Sequence, residues 1–406
     1  MEVTDKAMKR VVYAHYQKFE RDGSYVHVTK FSEEFGGICD EQGIEFTVMA
    51  PPLETGVPGQ KKSFIDRLKS RLAQFYISDI KAFLVQSKRM LEERRQLKEL
   101  KPDLVLTRFD YNTFSIIWAC RSLNIPVVLE INSPDHEERE VNYLRVPGAE
   151  HFFSSTRALS LCDGGFAVSN VLTEEYKVES TRGLPVHSIP NGVTVEQFDP
   201  HMSGSPVREE LGIAEDEVVI GFVGSFAPWH RMDMLFDSFS YLIGQGYKVR
   251  LLLVGQVKPE SEESVARANQ SDIKDYVTFA GFVPSNEIDK YLAAMDITVL
   301  QNSAYYCSPL KMFEYMAMET AVLSLGTEPV KEMLVDGEEG LLFPPGDGEA
   351  MTQALKKLVE DKELRERLGK AARERMVKEF TWRHNAEKVY DLLNEVYSTS
   401  DKVPNY

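Results

Sequence analysis

Ser308-Pro309-Leu310-Lys311-Met312-Phe313-Glu314-Tyr315-Met316-Ala317, followed by the apolar run Ala321-Val322-Leu323-Ser324-Leu325, sets a helix-start signal just before a strand signal. Ser308 suits a helix N-cap and Pro309 the first helical position, where its missing N–H costs nothing. The free N–H groups and positive dipole end of such a helix attract an anion, and Lys311 adds a full charge in the first turn. Glu314, three residues on, shares that face and can accept hydrogen bonds from hydroxyls of whatever carries the anion. A phosphate attached to a sugar meets both demands. The competing reading is a capped amphipathic helix whose Met312, Phe313 and Met316 simply pack on a sheet.

Outward from this stretch, short β-rich runs alternate with longer helical patterns, the signature of parallel sheets covered by helices. The strand candidates of the first half are Val11–Ala14, Phe46–Met49, Leu104–Thr107, Val127–Ile131 and Phe166–Val168. Those of the second half are Val218–Val223, Val249–Val254, Val277–Phe279, Ile297–Leu300, Ala321–Leu325 and Leu341–Phe343. An α/β protein with two doubly wound sheets is expected, since 406 residues exceed what one core usually organises. The joint falls near Ile189-Pro190-Asn191-Gly192-Val193, a turn-rich connection.

No run is apolar for long enough to span a bilayer, and the N-terminus, with Glu2 and Asp5, lacks the look of a signal peptide, so a cytoplasmic protein is expected. Cys39, Cys120, Cys162 and Cys307 are scattered without metal-ligand or redox spacing and read as reduced thiols. A net charge of −16 argues against nucleic acid as a partner. Neither metal dependence nor a separate cofactor is expected.

Ligands of open parallel sheets bind beyond the carboxyl ends of the strands. The strand ending at Val223 runs into Gly224-Ser225-Phe226-Ala227-Pro228-Trp229-His230-Arg231. Here glycine permits close backbone approach, Ser225 can donate, and His230 or Arg231 can meet a diphosphate with charge. The plainer alternative makes Trp229 a packing residue and His230 and Arg231 ordinary surface groups. In the first half, Arg21-Asp22-Gly23-Ser24-Tyr25-Val26-His27-Val28 leads into a helix, and Arg108 and Asn132 stand just beyond strands. Arg108 reads either as a sugar or acceptor-phosphate contact or as half of a structural salt bridge.

Together these segments resemble the retaining, nucleotide-sugar-dependent glycosyltransferases of family four. That resemblance implies the GT-B architecture, two Rossmann-like domains facing each other across a deep cleft. The domains would be 1–192 on the acceptor side and 193–379 on the nucleotide-sugar side, with a helix and tail, 380–406, crossing back. It also implies transfer of a hexose-type sugar from a nucleotide diphosphate sugar, UDP ahead of GDP, to an acceptor hydroxyl. In that pattern Lys311, His230 and Arg231 act on the departing diphosphate. The donor is held by Gly23, Ser24, Arg108, Asn132, Gly224, Ser225, Phe282, Val283, Tyr306, Ser308, Pro309, Leu310 and Glu314, with Glu314 on the ribose and Ala280-Gly281-Phe282-Val283-Pro284 near the nucleobase. Relatives commonly carry arginine at Ser225, lysine at His230, glutamate at Tyr306, histidine at Asn132 and glycine at Asp22. The acceptor would be a glycan, a lipid-linked saccharide or a small molecule.

No Gly-x-Ser-x-Gly elbow, phosphate-loop lysine motif or Gly-x-Gly-x-x-Gly fingerprint is present, which disfavours hydrolase, NTPase and dehydrogenase readings. A sugar-nucleotide 2-epimerase and a non-catalytic nucleotide-sugar-binding relative stay open as alternatives. One segment stands apart from the acidic whole: residues 61–101 carry twelve Lys/Arg against five acids, and Phe64, Leu68, Leu72, Phe75 and Tyr76 recur there at helical spacing. Such a segment can touch an anionic membrane, or it can form long helices whose charged faces are merely solvated.

Overall fold

The computed structural model describes residues 7–16, 23–50, 78–110, 113–134, 154–179, 183–257 and 261–406. Arg21, Asp22 and the 61–77 part of the basic segment lie outside these. Two units emerge, one of residues 1–190 with 385–406 and one of residues 191–384.

In the first unit β1 (Arg10–Ala14), β2 (Glu45–Met49), β3 (Leu104–Arg108), β4 (Val127–Ile131), β5 (Gly164–Ala167) and β6 (Val186–Ser188) form one sheet. Its order is β2-β1-β3-β4-β5-β6 and every pairing is parallel. The helices are α1 (Gly23–Glu41), α2 (Ser78–Leu100), α3 (Phe114–Ser122), α4 (Ser155–Leu161) and α5 (Asn170–Glu179). Because the chain passes from β1 to β2 on one side and returns to β3 on the other, the strand order reverses between β1 and β3. Reversals of this kind open a crevice at the carboxyl ends of the two strands.

Strand β5 begins at Gly164 and Gly165, two residues ahead of the expected start. Glycine is a poor strand former, but a Cβ on Gly164 would stand 2.7 Å from Val396 Cγ2, and one on Gly165 2.8 Å from Leu159 Cδ1. Edge strand β6 was not expected at all.

In the second unit β7 (Val218–Val223), β8 (Val249–Val254), β9 (Val277–Gly281), β10 (Ile297–Leu300), β11 (Ala321–Leu325) and β12 (Leu341–Phe343) take the order β12-β11-β10-β7-β8-β9, again parallel. Helices α6 (Ser205–Glu210), α7 (Met232–Gly244), α8 (Glu262–Val265), α9 (Ile288–Leu292), α10 (Leu310–Ala317), α11 (Glu328–Met333), α12 (Gly348–Glu360) and α13 (Lys362–Glu379) belong here. The central strands read as largely apolar runs because helices cover both faces. Phe222, Phe226, Phe236, Phe239 and Phe313 are fully buried, each contributing about 1.5–3 kcal/mol by leaving water. This sheet reverses between β7 and β10. Its crevice is therefore bounded by the loops 224–231 and 301–309.

The last helix, α14 (Trp382–Thr399), starts in the second unit, and from Asn385 onward the chain belongs to the first. There Asn385 Nδ2 donates to Pro190 O at 2.7 Å, and Lys402 Nζ pairs with Asp163 at 2.8 Å. Among the described residues no helix is long and apolar enough to cross a membrane.

Candidate active site

At the end of β7 the backbone turns through Gly224, whose φ of 140° lies where side chains are disfavoured. A Cβ here would stand 2.7 Å from Lys311 Nζ. The neighbouring strand ends in Gly255, also left-handed at φ 152°, where a Cβ would come within 2.0 Å of the Gly224 carbonyl oxygen. Glycine at both positions lets the backbones of the two strand ends close on each other. Phe226 then anchors the loop in the core against Phe222 and Phe279, at centroid distances of 6.1 and 5.8 Å.

Pro228–His230 forms a single 3-10 turn, in which His230 N donates to Ala227 O at 2.9 Å. Asn302, just beyond β10, donates from Nδ2 to Trp229 O at 2.6 Å and so ties the two crevice loops together. Arg231 adopts the left-handed region as N-cap of α7 and pairs with Asp233 at 2.7 Å on the exposed surface. Ser225 is exposed.

The helix start differs by one residue from the expectation. Pro309, not Ser308, is the N-cap of α10, with φ −77° and ψ 118°. Its carbonyl accepts from Met312 N at 2.9 Å. Ser308 is instead held by Asn191, whose Nδ2 donates to Ser308 O at 2.7 Å and whose backbone N–H donates to the Ser308 hydroxyl oxygen at 3.4 Å. Met312, Phe313 and Met316 do fill the core, and Tyr315 Oη accepts from Val223 N at 2.8 Å, fastening α10 to β7. The packing reading of this helix thus holds for Met312, Phe313 and Met316.

On the open face Lys311 Nζ lies 4.3 Å from the centroid of the Phe222 ring and 3.4 Å from His230 Nε2. Burial, only partly opposed by Cys307 and Glu314, pulls the Lys311 ammonium down to about 8. Burial and then the Lys311 charge push His230 down to about 3. At neutral pH the imidazole is therefore uncharged and the lysine carries the local positive charge. With Nε2 facing the ammonium, Nδ1 bears the proton, and that atom is buried without a hydrogen-bond partner. Burial lifts Glu314 to about 7 against the opposing pull of Lys311. The arrangement offers a cation and a helix N-terminus to a phosphate, and an acceptor one turn on for a hydroxyl.

Of the other expected site residues, Pro309 and Leu310 stand at the start of α10, and Tyr306 packs edge-on against Tyr305 with centroids 5.3 Å apart. Phe282 and Val283 follow β9, the first about half exposed and the second buried. Gly23 and Ser24 open α1 in the first unit.

Arg108 and Asn132, also in the first unit, converge on Glu130, which the sequence reading passed over. Glu130 Oε1 pairs with His27 Nε2 at 2.8 Å and Arg108 at 3.1 Å and accepts from Asn132 Nδ2 at 2.7 Å, while Oε2 accepts from Tyr13 Oη at 2.8 Å. Burial alone would raise this carboxyl, yet His27, Arg108 and the hydrogen bonds hold it well below the usual range. The ion-pair alternative for Arg108 is present. The signal that could have found the cluster was a carboxylate inside a wholly buried strand, Val127-Val128-Leu129-Glu130-Ile131. Among the described residues no group of three or more His, Cys, Asp or Glu side chains is placed to hold a metal.

Residues 22–197 match the family model described as Glycosyltransferase Family 4, and residues 205–375 match Glycosyl transferases group 1. Each half thus matches a glycosyltransferase domain family. Relatives include the capsular polysaccharide biosynthesis glycosyltransferase CapM of Staphylococcus aureus, 25% identical over 52% of this chain and 53% of that protein. The phosphatidyl-myo-inositol mannosyltransferase of Mycobacterium leprae is 27% identical over 59% and 61%. The matched stretches thus span between about half and three fifths of these relatives. Among solved structures, sucrose-phosphate synthase from Thermosynechococcus elongatus superposes with a TM-score of 0.73 at 19% identity, covering 96% of this chain and all of that one. Anabaena Alr3699/HepE in complex with UDP and glucose gives 0.68 at 15% identity over 96% and 100%. These likenesses establish the fold as GT-B, two Rossmann-like domains.

Proposed function

We propose that the chain is a retaining glycosyltransferase moving a hexose-type sugar from a nucleotide diphosphate sugar, UDP ahead of GDP, to an acceptor hydroxyl in polysaccharide, lipid-linked glycan or glycoconjugate synthesis. The observation that carries this reading is the Lys311 ammonium, desolvated at the start of α10 beside His230 and over the missing side chain of Gly224, at the strand-order reversal of the second sheet. A preorganised cation there stabilises the charge that develops on a leaving diphosphate. Glu314 takes the ribose hydroxyls. Glu314 is the one carboxylate given a role in this crevice, which suits same-face displacement better than a two-carboxylate route. In that displacement the bond from the anomeric carbon to the phosphate oxygen breaks, the bond to the acceptor oxygen forms, and the acceptor proton passes to a phosphate oxygen. The UDP and glucose in the Anabaena complex support the choice of nucleotide.

The deciding experiment is a donor panel scored for nucleotide release with and without candidate acceptors. Acceptor-dependent release supports transfer, turnover without acceptor indicates an epimerase, and nucleotide binding without turnover indicates a non-catalytic relative.

Calorimetry tests the two charged residues. Glu314→Ala should weaken UDP binding by roughly 10- to 100-fold, the loss of a hydrogen bond to a charged group worth about 1.5–3 kcal/mol. Unchanged affinity would remove Glu314 from the ribose. Because Lys311 must be protonated to attract the diphosphate and its pKa in the free protein is lowered to about 8, UDP affinity should decline above that pH; it should also fall below about pH 7, where Glu314 loses its charge.

Peripheral contact with the inner face of the membrane forms part of the proposal. Leu84 and Leu91, seven residues apart on α2, are 62% and 66% exposed, and Lys88 and Arg95 are exposed beside them. Apolar side chains flanked by basic ones suit an anionic bilayer surface. Liposome flotation should show binding that requires anionic lipid, falls with salt and weakens in a Leu84→Ser/Leu91→Ser variant. No flotation at low salt would leave an enzyme acting on a soluble acceptor.

A further inference from the structure

The first sheet has its own crevice, at the reversal between β1 and β3, and a cluster of polar side chains gathers there that the reading above leaves unused. Tyr16 lies two residues beyond β1 and Ser115 in the first turn of α3, the helix that follows β3. Tyr16 Oη donates to Glu93 Oε1 at 2.7 Å and lies 3.1 Å from Ser115 Oγ. The Arg89 guanidinium covers the Tyr16 ring at 5.0 Å.

Arg89 and Glu93 are four residues apart on α2, a spacing at which such residues commonly pair. Among the described residues these two make no ion pair. Glu93, only 7% exposed, keeps Oε2 buried with no hydrogen-bond partner, and Arg89 keeps one Nη atom in the same condition. Leaving one buried acceptor and one buried cationic donor unmatched is costly, because each has given up its water without a partner in return. A ligand group that donates to the carboxylate and accepts from the guanidinium satisfies both. Hydroxyls do this, and adjacent hydroxyls of a sugar or cyclitol can do it in pairs.

We infer that Arg89 and Glu93, with Tyr16 beside them, form a polyol-binding subsite in the first unit that holds hydroxyls of the acceptor. The acceptor role rests on the transferase reading; the binding site itself does not. Burial raises Glu93 to about 7 against the lowering effect of Tyr16, Ser115 and Arg89, with Glu92 adding a small raise; Asp110 is the further acid near Tyr16. Since the ionised carboxylate is the better acceptor, polyol affinity should rise with pH through about 7.

The test is ligand-observed NMR of the full chain, with UDP present, against free hexoses, hexose disaccharides and myo-inositol. At least one probe should bind, its affinity should rise between pH 6 and 8, and Glu93→Gln should lower it at least tenfold and flatten the pH profile. Arg89→Lys, which keeps the charge and loses the planar fork, should also weaken it. UDP affinity should stay within twofold in both variants, and their melting temperatures report whether they fold. A panel with no binder, or a probe bound equally by wild type and by a folded Glu93→Gln variant, overturns the inference. If no nucleotide binds yet a polyol is lost with Glu93→Gln, the subsite stands and the transferase reading falls.

Discussion

Lys311→Ala should lower turnover at saturating donor by roughly 30- to 900-fold, the equivalent of about 2–4 kcal/mol of lost transition-state stabilisation. The size follows from where the charge sits. Stacked over Phe222 and backed by a neutral imidazole, the ammonium is poorly hydrated, so its interaction with a departing phosphate is screened less than on an open surface. Folding should survive, because α10 is held by Met312, Phe313, Met316 and the Tyr315 hydroxyl rather than by this side chain. A melting temperature close to wild type together with the loss of turnover is the expected pair of results. Wild-type turnover in the variant would take Lys311 out of the chemistry. His230→Gln should cost less, since the imidazole is uncharged in the free protein.

The second large effect concerns stability. Glu130→Ala should destabilise the first unit by about 3–5 kcal/mol, because it strands Arg108 and His27 in a buried position without their common carboxylate. Urea unfolding followed by a probe in the first unit measures it, and a loss below about 1 kcal/mol would show that solvent or neighbours replace the carboxylate. The pH dependence has a definite sign. Since the folded-state pKa of Glu130 is held below its ordinary value of 4.5, its contribution is complete above about pH 4.5 and is lost as pH falls toward the folded-state value.

These two residues also mark what could be read without coordinates. The central strands of the second sheet announce themselves because they are covered on both faces and so are largely apolar, and the Gly224 to Arg231 loop follows such a strand directly. Strand β6 is three residues long, follows Pro185 and among the described residues pairs only with β5, so no periodicity could reveal it. Glu130 was visible only as an exception within an apolar run. Its partners, Tyr13, His27, Arg108 and Asn132, come from β1, α1 and the ends of β3 and β4, and chain spacing carries no trace of that meeting. The Ser308 misplacement has another origin. Serine and proline in succession carry two compatible capping signals, and Asn191, more than a hundred residues away, decided between them.

The paired glycines at the ends of β7 and β8 bear on how this scaffold can be diversified. Any side chain at Gly255 would meet the Gly224 carbonyl oxygen, and any at Gly224 would meet Lys311. Randomised libraries at these two positions should yield mostly misfolded or inactive clones, so the shape of the crevice floor is closed to selection. On the proposed reading, new donor preferences would arise on its walls, at Ser225, Trp229 and Tyr306, where side chains can change in size and polarity without forcing two backbones apart.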